Sequence, residues 1–131
     1  VSAEQYPVEI IMARGLMSNL TTAAFLVDRG GTLVFFNEAA GTLLGLQFED
    51  AGPMPAEEWG ARFEPTDPGG DPLSLEDLPL AIALMKGRPA HRKIEIRPAE
   101  GERRRIEVSA FPVVGQAGQT GALAIFWDDS A

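Results

Sequence analysis

The sequence predicts an α+β domain: a five-stranded antiparallel sheet with helices inserted on one face and a further helix flanking it at the N-terminus. Three apolar runs near the end, "AHRKIEIRP", "RRIEVSAFP" and "GALAIFWDD", are separated by turn residues and read as strands. Near the start, "FLVDRGGTLVFF" makes a two-stranded corner, and the helical patterns of the middle fall between these two groups. A chain of 131 residues is about one domain long and can bury roughly two-thirds of its unfolded surface.

The first element is a helix from about Pro7 to Leu20, with Pro7 in the first turn where its missing N–H is no loss. Val8, Met12 and Leu16 line one face, while Ile10, Ala13, Met17 and Leu20 line another. The excess apolar surface is either one wide stripe lying on the domain or a second stripe that meets a partner chain. Under the second reading Ile10, Ala13, Met17 and Leu20 form a dimer interface, residues 1–20 are a flanking dimerisation helix, and residues 21–131 are the domain proper.

Phe25, Leu26 and Val27 are strand formers, and Asp28 ends their run beside Gly30 and Gly31, which tolerate the turn. Leu33 to Phe36 return. Asn37 then caps a helix starting at Glu38, whose buried side carries Ala39, Ala40, Leu43 and Leu44 and which Gly45 closes. From Gln47 to Ser74 the chain is rich in Pro, Gly and acids, with a helical turn or two around Glu57 to Ala61 and a loop at "EPTDPGGDPL". Asp67 and Asp71 lack the further oxygen donors of a calcium loop. "LEDLPLAIALMKG" is a helix with Leu80 and Leu84 turned inward and Gly87 at its end. In the closing strands "AEGE" makes a tight hairpin and "GQAGQTG" a looser one, and "GALAIFWDD", the most continuously apolar, is central.

Composition narrows the function. Hydrophobic content of 45% suits a packed core, and a formal charge of −8 opposes nucleic-acid binding, which needs clustered Lys and Arg. Arg103-Arg104-Arg105 is bracketed by Glu102 and Glu107 and reads as a solvated strand edge. With no cysteine there are no disulfides, thiolate nucleophiles or cysteine metal sites. No apolar run approaches the roughly 20 residues that span a bilayer, and no signal segment opens the chain, so a cytoplasmic protein without membrane contact is expected. The start at Val1 suggests a piece of something longer. Glycine patterns of nucleotide-binding or hydrolase motifs are absent and a lone histidine leaves few nucleophile–base pairs, so no enzyme and no metal centre is expected.

The order and residues of several segments resemble the PAS domain, a sensor and interaction module of bacterial signalling proteins. "FLVDRGGTLVFFNEAAGTLLG" resembles its opening corner and short helix, "DPLSLEDLPLAIALMKGRP" the helix before the last strands, and "SAFPVVGQAGQTGALAIFWDDS" the closing hairpin. Asp128-Asp129-Ser130 is similar to the family's Asp-x-Thr ending. The resemblance covers about Leu16 to Ser130, and the motifs stand in the correct order and spacing.

It implies that the concave sheet face and the helices enclose a pocket. Alternation would then turn Phe25, Val27, Leu33, Phe35, Ile94, Ile96, Ile106, Val108, Ala110, Ala124 and Phe126 inward, with Leu84 from the helix, either as pocket lining or as plain core. Asp128 and Ser130 would mark the signal exit, the aspartate anchored by a hydrogen bond or an ion pair. Cysteine-linked flavin and chromophores fail for want of cysteine, and haem for want of a histidine on "LPLAIALMKG", since His91 lies on the outer face of the next strand. The cofactor is unknown, and the inward residues would accept a small apolar ligand such as an acyl chain or a ring. The implied function is a regulatory sensor that relays ligand or partner binding to an effector or partner subunit. The other reading is a ligand-free dimerisation or protein-interaction module.

Overall fold

The computed structural model describes residues 6–99 and 102–129. In chain order it contains α1 (Val8–Met17), β1 (Ala23–Asp28), β2 (Leu33–Phe36), α2 (Glu38–Leu44), α3 (Phe48–Ala51), α4 (Ala56–Ala61), a 3-10 turn (Leu75–Asp77), α5 (Pro79–Lys86), β3 (Ala90–Ile96), β4 (Arg104–Gly115) and β5 (Gly118–Asp128). The strands form one antiparallel sheet in the order β2-β1-β5-β4-β3, with β5 at its centre. A strand buried on both faces has no polar face to keep, which is why its sequence does not alternate.

Both sheet edges are blunted by single bridges. Leu33 and Met54 exchange backbone hydrogen bonds of 2.7 and 3.0 Å outside β2, and Thr66 and Glu95 exchange two of 2.9 Å outside β3. Such pairing removes exposed N–H and C=O groups that would otherwise template association.

The sheet divides the core in two. Its concave face packs on α2, α4 and α5 through Val27, Leu33, Phe36, Leu44, Trp59, Leu80 and Phe126. Its other face carries Ala24, Leu26, Val34 and Leu123, and α1 covers these with Ile10 and Met17. The close approach depends on Gly121, where a Cβ would collide with the Val27 carbonyl and with Ile10.

The helix boundaries follow their caps. Asn37 Oδ1 accepts from the Ala40 N–H at 3.0 Å, and Gly45 and Gly87 close α2 and α5 in the left-handed region. At the β1–β2 corner, Asp28 Oδ1 accepts from the N–H groups of Gly30 and Thr32, both at 3.0 Å. Four features differ from the sequence reading, the first being that seven residues, 97–103, join β3 to β4 where a tight hairpin at "AEGE" is expected. The segment before α5 is a separate 3-10 turn, because Pro79 forces Leu78 into an extended conformation (φ −82°, ψ 139°). The β4–β5 connection is a two-residue turn at Gln116-Ala117, made possible by Gly118 at φ 110°, not a loose loop. α1 ends at Met17 and leaves Leu20 beyond it, exposed.

The larger correction concerns the two stripes of α1. Ile10 and Met17, expected at a dimer interface, are 1% and 0% exposed inside their own chain, with Ala13 half-buried beside them. The outward stripe is instead Val8, Ile11, Met12 and Leu16. Sequence periodicity reveals two faces but not which one the sheet takes. Ile10→Ala is therefore expected to lower the unfolding free energy by about 2–5 kcal/mol. Met12→Ala is expected to change it by no more than about 0.5 kcal/mol, both read from urea unfolding midpoints.

Candidate ligand-binding site

Between the concave sheet face and the helices lies an apolar cavity of about 80 Å³. Phe25 and the inward ladder of β3, β4 and β5 (Ile94, Ile96, Ile106, Val108, Ala124, Phe126) form its floor. These are seven of the residues expected from alternation. Val27, Leu33 and Ala110 belong to the same core but do not reach the cavity, and Leu84 is only partly buried against it.

Phe35 lies on the other face. β1 pairs Leu26 with Phe35 but Val27 with Leu33, so Val34 is an extra residue in β2 and the alternation skips a step. Phe36 takes the inward place, its ring centroid 5.6 Å from that of Phe25, while Phe35 turns out beneath the Arg14 guanidinium, 4.7 Å from its ring centre. Phe48 of α3 touches both, with centroids 5.4 Å from Phe35 and 5.3 Å from Phe36. A bulge in a four-residue strand leaves no mark on the hydrophobic pattern.

Of the roof, the sequence points only to Leu44 and Leu80 as inward residues. The roof consists of Leu44 from α2, Trp59 from α4, Phe63 and Pro65 from the segment after it, and Leu78, Pro79 and Leu80 at the start of α5. Trp59 is fixed by its indole N–H, which donates 2.8 Å to the Gly31 carbonyl in the β1–β2 corner. A tryptophan among the prolines and acids of the middle segment was the available signal, since a large ring there must find a core to enter.

No described buried side-chain nitrogen or oxygen lacks a partner, so nothing polar is left aimed into the cavity. Among the described residues no group of three or more His, Asp or Glu is placed to hold a metal. No described helix is long and apolar enough to cross a membrane. Pockets for drug-sized ligands commonly run to roughly 300–1,000 Å³, and a dry engineered cavity of about 150 Å³ takes benzene. A space of about 80 Å³ therefore suits a very small apolar guest, or the end of a longer one. A flavin or haem would require the lining to move apart.

The remaining expected sites lie at the surface. His91 is exposed on β3, its Nε2 2.6 Å from Glu107 Oε2 on β4. Asp128 Oδ2 accepts from Arg104 Nη1 at 2.6 Å across β4 and β5, and Lys93 Nζ lies 3.6 Å from Asp129 Oδ2. Ser130 lies outside the described residues.

The roof at α5 is held by a small electrostatic device. Ser74 N–H and Oγ–H donate to Asp77 Oδ2 at 3.0 and 2.9 Å, and Arg92 Nη1 reaches the Asp77 carbonyl. The Ser74 backbone bond, then its hydroxyl and the Arg92 charge, hold the Asp77 carboxyl below its ordinary value. A depressed carboxylate contributes stability above its unfolded pKa and loses it as pH falls through the folded one. The Asp77→Asn variant should therefore lose less stability than the parent below about pH 4, read from thermal unfolding along a pH series.

No family model matches the chain, and no curated protein matches it. Solved structures do. The PAS domain of BvgS from Bordetella pertussis superposes with a TM-score of 0.63 at 13% identity, over 94% of this chain and 87% of that one. A PAS domain from Colwellia psychrerythraea gives 0.64 at 22% identity, over 91% and 96%. The LOV protein of Rhodobacter sphaeroides gives 0.72 at 17% identity, over 95% and 69%. The chain has the fold these domains share.

Proposed function

We propose, for a chain with the PAS fold, a regulatory sensory role in a signal-transduction protein, in which a small apolar ligand in the cavity alters contacts with an effector or partner subunit. The apolar cavity between sheet and helices carries this reading. Its lining offers shape and dispersion contacts but no titratable group, which suits binding and not catalysis.

A route from cavity to surface supports the relay. Phe25 lines the cavity, and Phe36, Phe48 and Phe35 follow in edge or tilted contact up to Arg14 on α1. A ligand that shifts Phe25 would shift the seating of α1, by no more than its differential affinity for the two arrangements.

Native followed by denaturing mass spectrometry of the freshly purified protein tests the reading. An extra mass released on denaturation is expected, as is a raised melting temperature with small apolar compounds. Ala124→Leu, which fills the cavity, should abolish both while leaving the far-ultraviolet spectrum unchanged. A bare mass together with no thermal shift from any such compound would defeat the ligand reading.

The second reading, a dimerisation or docking module, is favoured by α1, whose Val8, Ile11, Met12 and Leu16 are 57–68% exposed. Isolated exposed apolar residues are ordinary, but four on one helical face mark an interaction surface. Ile11→Glu combined with Met12→Glu is expected to convert a sedimenting dimer to monomer without loss of stability. A parent that is monomeric at high micromolar concentration would remove this reading.

A further inference from the structure

The walls of the cavity differ greatly in rigidity. Its floor is a continuous sheet ladder, and Leu44 sits on a helix capped by Asn37. Pro65 belongs to neither helix nor strand. On its other side lies an open groove of about 460 Å³, walled by Leu73, Leu75 and Arg103, and Pro65 lines both spaces. Pro65 is the residue that the two spaces share.

The backbone beside Pro65 is strained. Glu64, at φ 49°, is the only non-glycine residue with positive φ among the described residues. Such a conformation persists only where surrounding contacts hold it. The most concentrated contacts come from Arg103, far away in sequence at the foot of β4. Its Nη2 donates to the Glu64 carbonyl at 2.8 Å, to Thr66 Oγ1 at 3.1 Å and to the Glu95 carbonyl at 3.1 Å. One guanidinium thus ties the strained segment to β3. Of the adjacent arginines, Arg104 pairs with Asp128, while Arg105 shares the Glu95 carboxylate, which also lies 3.9 Å from Arg103 Nε.

We infer that Phe63–Thr66 is the gate of the apolar cavity, that the groove beside it is the vestibule, and that Arg103 is the latch. The inference rests on the ligand reading above and adds the regulation of that site. When the Arg103 bonds are broken, Glu64 can leave its left-handed conformation, Pro65 swings outward and cavity and groove become continuous. The remaining ties of the segment are loosened with it: the bridge between Thr66 and Glu95, the Arg97 N–H on the Phe63 carbonyl at 2.7 Å and the Leu73 N–H on the Pro65 carbonyl at 3.0 Å. A latch with a charged donor responds to anions: a carboxylate placed in the groove would compete for Arg103 and open the cavity. An amphipathic guest with an acidic head and a short apolar tail fits both compartments.

The test uses Trp59, which lines the cavity, in a Trp127→Phe background so that it is the only tryptophan. Bromoethane, small and apolar with a bromine that quenches indole fluorescence, is mixed in by stopped flow. Arg103→Ala is expected to speed the onset of quenching by roughly tenfold or more, the scale of losing hydrogen bonds from a charged donor. The equilibrium affinity should change by less than about threefold, because the latch does not touch the guest. Arg103→Lys, which keeps the charge but loses the planar fork, should fall in between, and Arg104→Ala should match the parent. Native-state hydrogen exchange supplies a readout without ligand: in Arg103→Ala the Thr66 and Arg97 amides should exchange faster while the β4–β5 amides keep their protection. Equal quenching rates in parent and Arg103→Ala, with binding present in both, would overturn the latch. Unchanged exchange at Thr66 and Arg97 would do the same. Absence of quenching in every variant despite faster Thr66 exchange would overturn the ligand reading and leave Arg103 as the tie of this segment.

Discussion

The side chain of Asn37 binds four backbone groups from separate parts of the chain. Its Oδ1 accepts from the N–H groups of Ala24 and Ala40, both at 3.0 Å, and its Nδ2 donates to the carbonyls of Met17 and Thr22 at 3.0 and 2.9 Å. It is 2% exposed and the only buried polar residue among those described. The end of α1, the start of β1 and the first turn of α2 therefore meet on one amide. Each bond contributes about 0.5–1.5 kcal/mol net, and each buried group left without it costs more. Against a typical domain stability of about 5–15 kcal/mol, this junction is a large share. Both layers of the core depend on it, because it sets where α1 lies on one face of the sheet and where α2 lies on the other.

That geometry explains how a protein with no polar chemistry in its cavity could still report on it. The sheet is thin, and the β2 bulge directs Phe36 to the cavity side and Phe35 to the α1 side within two consecutive residues. Phe48 then bridges the two rings past the sheet edge. Packing through these rings and the Asn37 junction both connect the concave side of the sheet to α1. The cavity itself is small because phenylalanines and a tryptophan fill most of the space. The Arg103 contacts and the Glu64 backbone are where access to it would be set.

Legibility in the sequence followed the range of the interactions. The β1–β2 corner, the Asn37 cap, the Gly45 and Gly87 ends and the central β5 were all readable, since each rests on local chemistry or on a strand buried on both faces. The floor of the cavity was readable too, because β3 and β4 alternate cleanly and β5 between β1 and β4 is apolar throughout its middle. Most of the roof was not. Trp59, Phe63 and Pro65 lie in a segment whose prolines and glycines obey no period; the short helix around Glu57 to Ala61 was readable, but its seat over the cavity is set by tertiary contacts, the Trp59 bond to Gly31 and the Arg103 bonds to Glu64 and Thr66. Phe35 was assigned to the wrong face because one unpaired residue in β2 shifts the alternation. In α1 both stripes were visible, yet choosing between them required knowing that Gly121 lets Ile10 descend onto the sheet.

Amide hydrogen exchange followed residue by residue in Asn37→Ala tests the coupling of the two layers most directly. Protection should fall together in α1, at Ala24 and in the first turn of α2, while the β3–β4 amides stay as protected as the weakened global stability allows. An α1 that kept its relative protection while α2 alone frayed would contradict the account, and would reduce Asn37 to an ordinary helix cap.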